Sequence, residues 1–187
     1  PDDAPIEELP ENLRRYIAFG EAKAYHEGFK CRIRQRWYVV PSVWIPDAFM
    51  LRQVHAYPKL TLNTAQAVCT DTIHRLRFRA GVNSEAVAAA YLNSLTFAFA
   101  EVTGRSYGGG VLTFEPSEAE RLLLPLINAE CLDLADFDQQ LRANDIESVL
   151  DVTDRVMLQD GLGLSVEQTR MLRGIWVKLR DRRINRK

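Results

Sequence analysis

The spacing of apolar residues predicts a helix near the start of the chain and short strands after it. Leu13 and Ile17 recur on one side of residues 10–27, which predicts an amphipathic helix that ends at Gly28. Residues 30–40 alternate between apolar and polar positions, the pattern of a half-buried strand. Further short strands are predicted at Val43–Ile45, Phe49–Arg52, Leu60–Leu62 and residues 72–79.

From residue 84 onward the pattern becomes mainly helical. Residues 84–102 are apolar nearly all round, so they predict a buried helix, with Ser84 as its N-cap. A turn at Gly108–Gly110 separates this helix from a short strand at Val111–Phe114. The order of elements, strands around one buried helix, is typical of an α+β domain.

Two capping boxes mark helix starts in the last part of the chain. Ser117 with Glu120 predicts the start of a helix that Pro125 limits, and Ser165 with Gln168 predicts another. Three helices are predicted in the tail, at residues 133–143, 145–158 and 165–184. We therefore predict an α+β fold: a curved, mostly antiparallel sheet with a buried helix, followed by a small helical tail.

The formal net charge of −1 conceals an uneven distribution of charge. Residues 28–81 hold nine basic residues against Asp47 and Asp71, a net charge of +7. Residues 1–27 hold seven acids and three bases, a net charge of −4. One basic segment in a nearly neutral protein is what a localised site for a polyanion would give. The alternative is that these bases pair with the acidic segments on either side.

Composition places few other constraints on function. No run of about 18 apolar residues and no signal-peptide pattern occurs, so we expect a cytoplasmic protein without a membrane partner. The three cysteines are far apart and include no C-x-x-C, which favours free thiols in a reducing compartment. The histidines show no metal-ligand spacing.

A predicted strand over residues 30–40 would carry its cations on one face. Its basic positions alternate, so their spacing of about 6.6–7 Å would be close to the distance between successive phosphates of one DNA strand. Tyr38 shares the basic face, whereas Trp37 shares the apolar face and is predicted to be in the core. The candidate DNA contacts of this segment are Lys30, Arg32, Arg34, Arg36 and Tyr38.

A second candidate contact lies at the glycine-rich turn. Arg105, Ser106 and Tyr107 are all hydrogen-bond donors, and they precede Gly108, Gly109 and Gly110. Donor side chains beside bare backbone suit close approach to a sugar-phosphate backbone or groove. The alternative is a tight turn whose glycines are needed only for positive φ.

Residues 30–125 resemble the C-terminal target recognition region of gamma-class N6-adenine DNA methyltransferases of bacterial restriction-modification systems. The resemblance depends on the order and spacing of several short passages rather than on any single one. These passages are Lys30-Cys31-Arg32-Ile33-Arg34 with Trp37, Tyr38 and Pro41; Leu92-Asn93-Ser94; and Gly104 to Leu112 followed by Glu115-Pro116-Ser117-Glu118.

The resemblance implies a domain that recognises a specific sequence in double-stranded DNA. It implies a linker helix at 1–29 that follows a catalytic methyltransferase domain of the same polypeptide, a target recognition domain at 30–128 and an accessory helical tail at 129–187. The family's catalytic tetrapeptide (Asn, Asp or Ser, then Pro-Pro, then Tyr or Phe) is absent from the sequence given. No catalytic residue, metal or cofactor is therefore expected in this chain, and S-adenosylmethionine is expected in the parent enzyme. A restriction endonuclease is a further candidate partner.

A function from another class also fits the charge pattern. A basic face can dock an acidic protein as well as DNA, so the alternative is a protein-interaction module.

Overall fold

A computed structural model describes residues 4–186, and their packing divides the chain between Trp44 and Ile45. Residues 1–3, which belong to the predicted linker, and Lys187, in the basic terminus, lie outside the described part. The first unit thus combines most of the predicted linker with the basic segment after Gly28. The second holds both the rest of the predicted recognition domain and the described part of the predicted tail. The functional boundaries at residues 30 and 129 stay predictions.

The first unit is made of short helices. Helix α1 covers Glu11–Ala22 and begins directly after Pro10, and a 3-10 turn covers Ile6–Glu8 before it. The helix predicted at 10–27 is therefore confirmed over most of its length. It ends early because Ala24 adopts the left-handed conformation, with φ 58°. A second 3-10 turn, Tyr25–Glu27, leads to α2, Phe29–Arg32.

The strand predicted at residues 30–40 is wrong. Residues 29–32 form the single turn of α2, in which the N–H groups of Cys31 and Arg32 donate to the carbonyl of Gly28. No strand occurs between residues 4 and 47, and the one predicted at Val43–Ile45 is also wrong. A strand needs a neighbour to satisfy its backbone groups, and an alternating pattern supplies none. The apolar side of the pattern is not buried either, since Ile33 is 67% exposed.

The second unit contains two three-stranded antiparallel sheets instead of one curved sheet. The strands in chain order are β1 Ala48–Leu51, β2 Gln53–Val54, β3 Leu60–Leu62, β4 Ile73–Leu76, β5 Arg105–Tyr107 and β6 Val111–Thr113. The first sheet has the order β3-β1-β4 and the second the order β2-β6-β5. The α+β class is confirmed, and the strands predicted around Phe49, Leu60 and Val111 are present.

The chain passes from the first sheet to the second at Arg52. This residue separates β1 from β2, and its carbonyl accepts a hydrogen bond from the N–H of Phe114, 2.9 Å away. A second link comes from His74 in β4, whose Nε2 lies 2.9 Å from the carbonyl oxygen of Phe114. The predicted strand 72–79 is shorter than expected, so only Arg75 of its three arginines lies within β4.

The buried helix predicted at 84–102 is two helices, α3 Ser84–Ala90 and α4 Ser94–Thr103, bent by 71° at the break. Asn83, not Ser84, caps α3. Asn93 begins α4: its Oδ1 accepts from the N–H of Thr96, and its Nδ2 donates to the carbonyl of Ala90. A fully buried asparagine whose amide is satisfied by backbone on both sides makes the break a fixed feature of the fold.

The remaining α-helices of the second unit are α5 Pro116–Ala119, α6 Leu134–Arg142, α7 Ile146–Thr153 and α8 Val166–Ile184. A π-helical turn covers Asp154–Gln159, and 3-10 turns cover Gly108–Gly110 and Ala129–Cys131. The capping box of Ser165 and Gln168 is confirmed, with hydrogen bonds of 3.1 Å and 2.8 Å. The box at α5 is formed by Glu115 and Glu118, so the prediction of Ser117 with Glu120 is wrong by two residues.

Helix α8 contributes to the centre of the core. Trp176 is fully buried, and its ring centroid lies 5.1 Å from that of Phe97 in α4, which in turn stacks on Tyr57 at 5.1 Å. Phe137 of α6 and Val149 of α7 pack in the same cluster. Among the described residues no single helix has the length and apolar character to cross a membrane, and only α3 and α4 together pass such a test.

Candidate nucleic-acid interface

The candidate DNA contacts lie in both units of the chain. Lys30, Arg32, Arg34, Arg36 and Tyr38 belong to the first unit, and Arg105 to Gly110 belong to the second.

The basic side chains of the first unit do not share one strand face. Lys30 and Arg32 are exposed on the single turn of α2. Arg34 and Arg36 are half-buried beyond it and contact their own unit: Arg34 Nη1 lies 3.5 Å from the carbonyl of Trp37, and Arg36 Nη1 lies 2.5 Å from that of Ala4. The regular phosphate spacing expected of a strand is therefore absent, although all four side chains remain in one short segment.

Trp37 anchors this segment to α1, although it is half-buried and does not lie in the core as the sequence predicted. Its ring lies so close to Gly20 that a side chain at this position would collide with it. Its indole N–H donates to Glu21 Oε1 at 3.3 Å. Tyr38 is half-buried, with its ring edge-on to Trp37 at 6.0 Å, and its shielded hydroxyl has no hydrogen-bond partner among the described residues.

The second set forms an edge hairpin. Strand β5 lies at the edge of its sheet and pairs with β6 through Arg105↔Thr113, Ser106↔Leu112 and Tyr107↔Val111. Side chains alternate along a strand, so Arg105 and Tyr107 project from one face and Ser106 from the other. All three are exposed. The three predicted donors therefore lie on two faces of β5, with Arg105 and Tyr107 on one face and Ser106 on the other.

The three glycines that join β5 to β6 differ in what they require. Gly109 and Gly110 have φ of +73° and +72°, whereas Gly108 does not have positive φ. A Cβ on Gly108 or Gly109 would meet nothing, but a Cβ on Gly110 would lie 2.9 Å from the Cα of Ile184. The alternative interpretation, in which the turn needs glycine for its positive φ, therefore accounts for Gly109 and Gly110. Gly108 is neither at positive φ nor confined, so the turn itself does not explain it.

Arg105 is held by an ion pair that leaves part of its guanidinium accessible. Its Nε lies 2.6 Å from Glu118 Oε1, and its side chain is 54% exposed. Glu118 also accepts the N–H of Glu115 in the capping box, at 3.0 Å. This backbone hydrogen bond, followed by Arg105, lowers the pKa of the Glu118 carboxyl below its usual value. Because the hydrogen bond uses Nε, the terminal nitrogens of Arg105 can reach an incoming acceptor.

The end of α8 holds the hairpin turn in place, a contact that the sequence analysis missed. Arg183 is buried, and it donates to both carboxylate oxygens of Glu101 in α4, at 2.6 Å and 3.0 Å. Its Nη1 donates to the carbonyl of Gly110. A signal for this was present in the sequence, because Thr169, Trp176 and Arg183 recur every seven residues and therefore lie on one face of α8.

The same contact brings more positive charge to the hairpin. Arg182, in the last turn of α8, and Arg186, just beyond the helix, are both exposed, and they flank Ile184, whose Cα approaches Gly110. The basic end of the chain is therefore helical as far as Ile184 and is joined to the hairpin through Arg183. We call the exposed side chains and turn of this region the hairpin surface, which consists of Arg105, Tyr107, Gly108–Gly110, Arg182 and Arg186.

The hairpin surface carries several groups that can bind a ligand. It presents arginine N–H groups, a tyrosine ring and hydroxyl, and the backbone of a glycine turn. Within residues 4–186, no group of His, Cys, Asp or Glu side chains is arranged to hold a metal ion. Donors without an acid-base pair or a metal site suit recognition of an anionic ligand.

The hairpin surface belongs to an α+β fold with a helical C-terminal part. A family model described as the Type II methyltransferase M.Eco57I, C-terminal domain, matches residues 1–158, so the chain belongs to this family. Membership in this family supports the interpretation that the chain is the C-terminal region of a restriction-modification methyltransferase. No curated protein and no solved structure matches the chain.

Two of the passages that carry the resemblance are now accounted for by the fold. Leu92 is in the core, Asn93 caps α4, and Ser94 donates from both N–H and Oγ to the buried carboxylate of Asp154, at 2.8 Å and 2.6 Å. The Leu-Asn-Ser passage therefore fixes the break between α3 and α4. The Glu-Pro-Ser-Glu passage forms the capping box whose Glu118 holds Arg105.

Proposed function

We propose that this chain is the part of an N6-adenine DNA methyltransferase of the gamma class that recognises the target sequence in double-stranded DNA. The observation that carries the proposal is the hairpin surface, an exposed edge hairpin with a cation and an aromatic ring on one face, held beside the basic end of α8. It is supported by membership in a family of Type II methyltransferase C-terminal domains.

The dimensions and groups of the hairpin suit a DNA groove. The major groove of B-DNA, about 12 Å wide, admits a two-stranded ribbon as well as a helix. Arg105 is the residue best placed to contact a base edge, since its terminal nitrogens are exposed and its Nε is fixed by Glu118. The turn at Gly108–Gly110 and the side chains of Arg182 and Arg186 would contact phosphates, which position the domain but do not specify sequence.

The first unit supplies a second basic surface in this proposal. Lys30 and Arg32 are exposed on α2 and would add phosphate contacts. Arg34, Arg36 and Tyr38, which contact their own unit, would act mainly by shaping that segment.

In this proposal the methylation chemistry belongs to the rest of the enzyme. A base-modifying enzyme turns its target base out of the duplex into a separate pocket. The catalytic methyltransferase domain would supply that pocket and bind S-adenosylmethionine in the cytoplasm, and this chain would choose the site at which the adenine is turned out.

Selection from a pool of random-sequence duplexes tests the proposal. Immobilised 187-residue chain is incubated with the pool, and the bound duplexes are amplified and sequenced over several rounds. A recognition domain enriches one short sequence pattern. The variant Arg105→Ala should bind more weakly and lose selectivity for at least one base pair, since a bidentate contact discriminates by about 1–3 kcal/mol.

A charge-matched control separates base recognition from general attraction. Arg142→Ala removes one exposed cation from α6, where Arg142 pairs with Asp138, and should leave the enriched pattern unchanged. If the wild-type chain retains duplexes but enriches no pattern, it binds DNA without recognising sequence. If it retains no duplex at low salt, the proposed function is wrong.

A further inference from the structure

Strand β3 forms an open edge of the first sheet. The order β3-β1-β4 places β3 on the outside, and among residues 4–186 no strand pairs with its other side. An unpaired strand edge presents backbone N–H and C=O groups to whatever lies beside it. The edge of β3 is therefore a candidate site for a polypeptide that extends the sheet.

The register shows which peptide groups face outward. The N–H of Asn63 donates to the carbonyl of Asp47 at 2.9 Å, so the N–H of Asn63 points toward β1. Successive residues of a strand point their peptide groups in opposite directions, so Thr61, paired with Phe49, points the same way as Asn63. The peptide groups of Thr61 therefore point toward β1. Those of Leu60 and Leu62 point away from it.

This edge lines a groove of the second unit with a volume of about 1090 Å³. Its opposite wall comes from α3, from residues 130–135 and from α6. Leu134 and Leu141 of α6 contribute apolar surface. This volume lies just above the range for ligand pockets, about 300–1,000 Å³, so the groove has room for several residues of a peptide.

The rim of the groove carries excess negative charge. Its carboxylates are Glu85, Glu130, Asp133 and Asp138. Its cations are Lys59 and Arg142, and Arg142 is already paired with Asp138 at 2.7 Å. Glu130 accepts a hydrogen bond from the neutral amide of Asn83, which leaves its charge uncompensated. A polyanion is repelled by such a rim, and a basic ligand is attracted.

We propose that this groove, the β3 groove, binds an extended, positively charged peptide segment that pairs with β3 as an added antiparallel or parallel strand. The peptide backbone would form hydrogen bonds with Leu60 and Leu62, as in other cases of strand addition. Alternate side chains of the peptide would lie on the apolar wall at Leu134 and Leu141. Lysine or arginine side chains of the peptide are long enough to reach Glu85 and Glu130 at the rim of the groove.

The probe is the synthetic peptide acetyl-Thr-Lys-Val-Lys-Val-Lys-Thr-amide, titrated onto the full ¹⁵N-labelled chain. Amide exchange of Leu60 and Leu62 should slow when the peptide binds. Exchange of Thr61 should not change, because its N–H already faces β1. Peptides that carry N-methyl groups on alternate residues, prepared in both registers, remove the backbone donors that pairing needs, so at least one register should fail to bind.

Charge variants test the second half of the proposal. Glu85→Gln and Glu130→Gln should each raise the Kd of the peptide about threefold, the size expected for one exposed ion pair. The control variant Glu120→Gln lies outside the groove lining and should have no effect. The proposal is overturned if the peptide does not bind at millimolar concentration, if both N-methylated registers bind as tightly as the parent, or if Leu60 and Leu62 gain no protection.

Discussion

At the scale of single residues, the glycines of the hairpin turn show how one repeated residue meets different requirements. Gly110 needs both its positive φ and its missing side chain, because Ile184 lies against it. Gly109 needs only the conformation, and Gly108 needs neither. Because no structural requirement explains Gly108, this position can be changed to test the binding surface without disturbing the fold.

Gly108→Asp should weaken duplex DNA binding by about tenfold, or ~1.4 kcal/mol, at moderate salt, because it adds a negative charge where we place a phosphate. Its thermal midpoint should match that of the wild-type chain. Binding is measured by fluorescence anisotropy and stability by differential scanning calorimetry. Gly108→Asn is the matched control, since it has nearly the same shape without the charge and should bind almost normally.

The neighbouring glycines provide the contrasting result. Gly109→Ala should cost about 1–2 kcal/mol of unfolding free energy through its left-handed conformation, and Gly110→Ala should cost more because its Cβ would also collide with Ile184. If Gly108→Asp destabilises the chain as much as these variants, or binds DNA as tightly as Gly108→Asn, the turn does not face DNA.

The pKa of Glu118 depends in part on its ion pair with Arg105. It is lowered first by the backbone N–H of Glu115 and then by Arg105. The stabilisation that goes with a lowered carboxyl pKa is present above the usual pKa of glutamate and is lost as the pH falls through the lowered value. Arg105→Ala should therefore raise the pKa of Glu118 but leave it below the usual value. Carboxyl ¹³C NMR titration measures this, with Arg142→Ala as the variant that should leave it unchanged. A Glu118 pKa that does not respond to Arg105→Ala would contradict the ion pair.

At the scale of elements, local signals predicted what local interactions determine. The start of α8 at Ser165, the strand β3 and the extent of α6 depend on caps and on apolar spacing within a few residues. The strand prediction for residues 30–40 was wrong because a strand also needs a pairing partner from elsewhere in the chain. The break at Asn93 was missed because its apolar neighbours continue the helical pattern across it. At the site, the glycine turn and the strand after it were predicted from the sequence, but strand β5, which completes the hairpin, was not. The contact with α8 was missed because it joins residues 73 positions apart.

The link between α4, α8 and the hairpin depends on one buried arginine. Arg183→Met should lower the unfolding free energy by about 3–5 kcal/mol, because it leaves the carboxylate of Glu101 buried without a partner. Changing Glu101→Met as well should restore much of this loss, since two apolar side chains of similar volume replace the pair. Urea unfolding followed by tryptophan fluorescence measures both variants. If the double variant loses as much unfolding free energy as Arg183→Met and Glu101→Met lose together, the two side chains are not coupled in this way.

At the scale of the whole molecule, helices α6, α7 and α8 contribute to the core of the second unit. Phe97 and Leu92 of the second unit pack against Phe137, Val149 and Trp176, all of which lie beyond residue 128. These contacts make α6, α7 and α8 part of the structure that holds the hairpin. The first unit has its own internal packing around Gly20 and Trp37.

Removal of residues 129–187 should therefore abolish cooperative unfolding of the remaining chain. Removal of residues 1–44 should preserve it, because the second unit keeps its three apolar clusters. Circular dichroism during thermal melting distinguishes the two truncations. A chain of residues 1–128 that melts cooperatively near the wild-type temperature would show that the C-terminal helices are an independent appendage.

The central claim, that the hairpin surface contacts DNA phosphates, is tested most directly by the salt dependence of duplex binding. The logarithm of the binding constant is measured against the logarithm of salt concentration for the wild-type chain and for Arg105→Ala/Arg182→Ala/Arg186→Ala. Each phosphate contact contributes about 0.9 to the slope, so the triple variant should lose about 0.9 of slope for every one of the three arginines that contacts a phosphate. Arg142→Ala should retain the wild-type slope. An unchanged slope in the triple variant, at undiminished affinity, would contradict the claim.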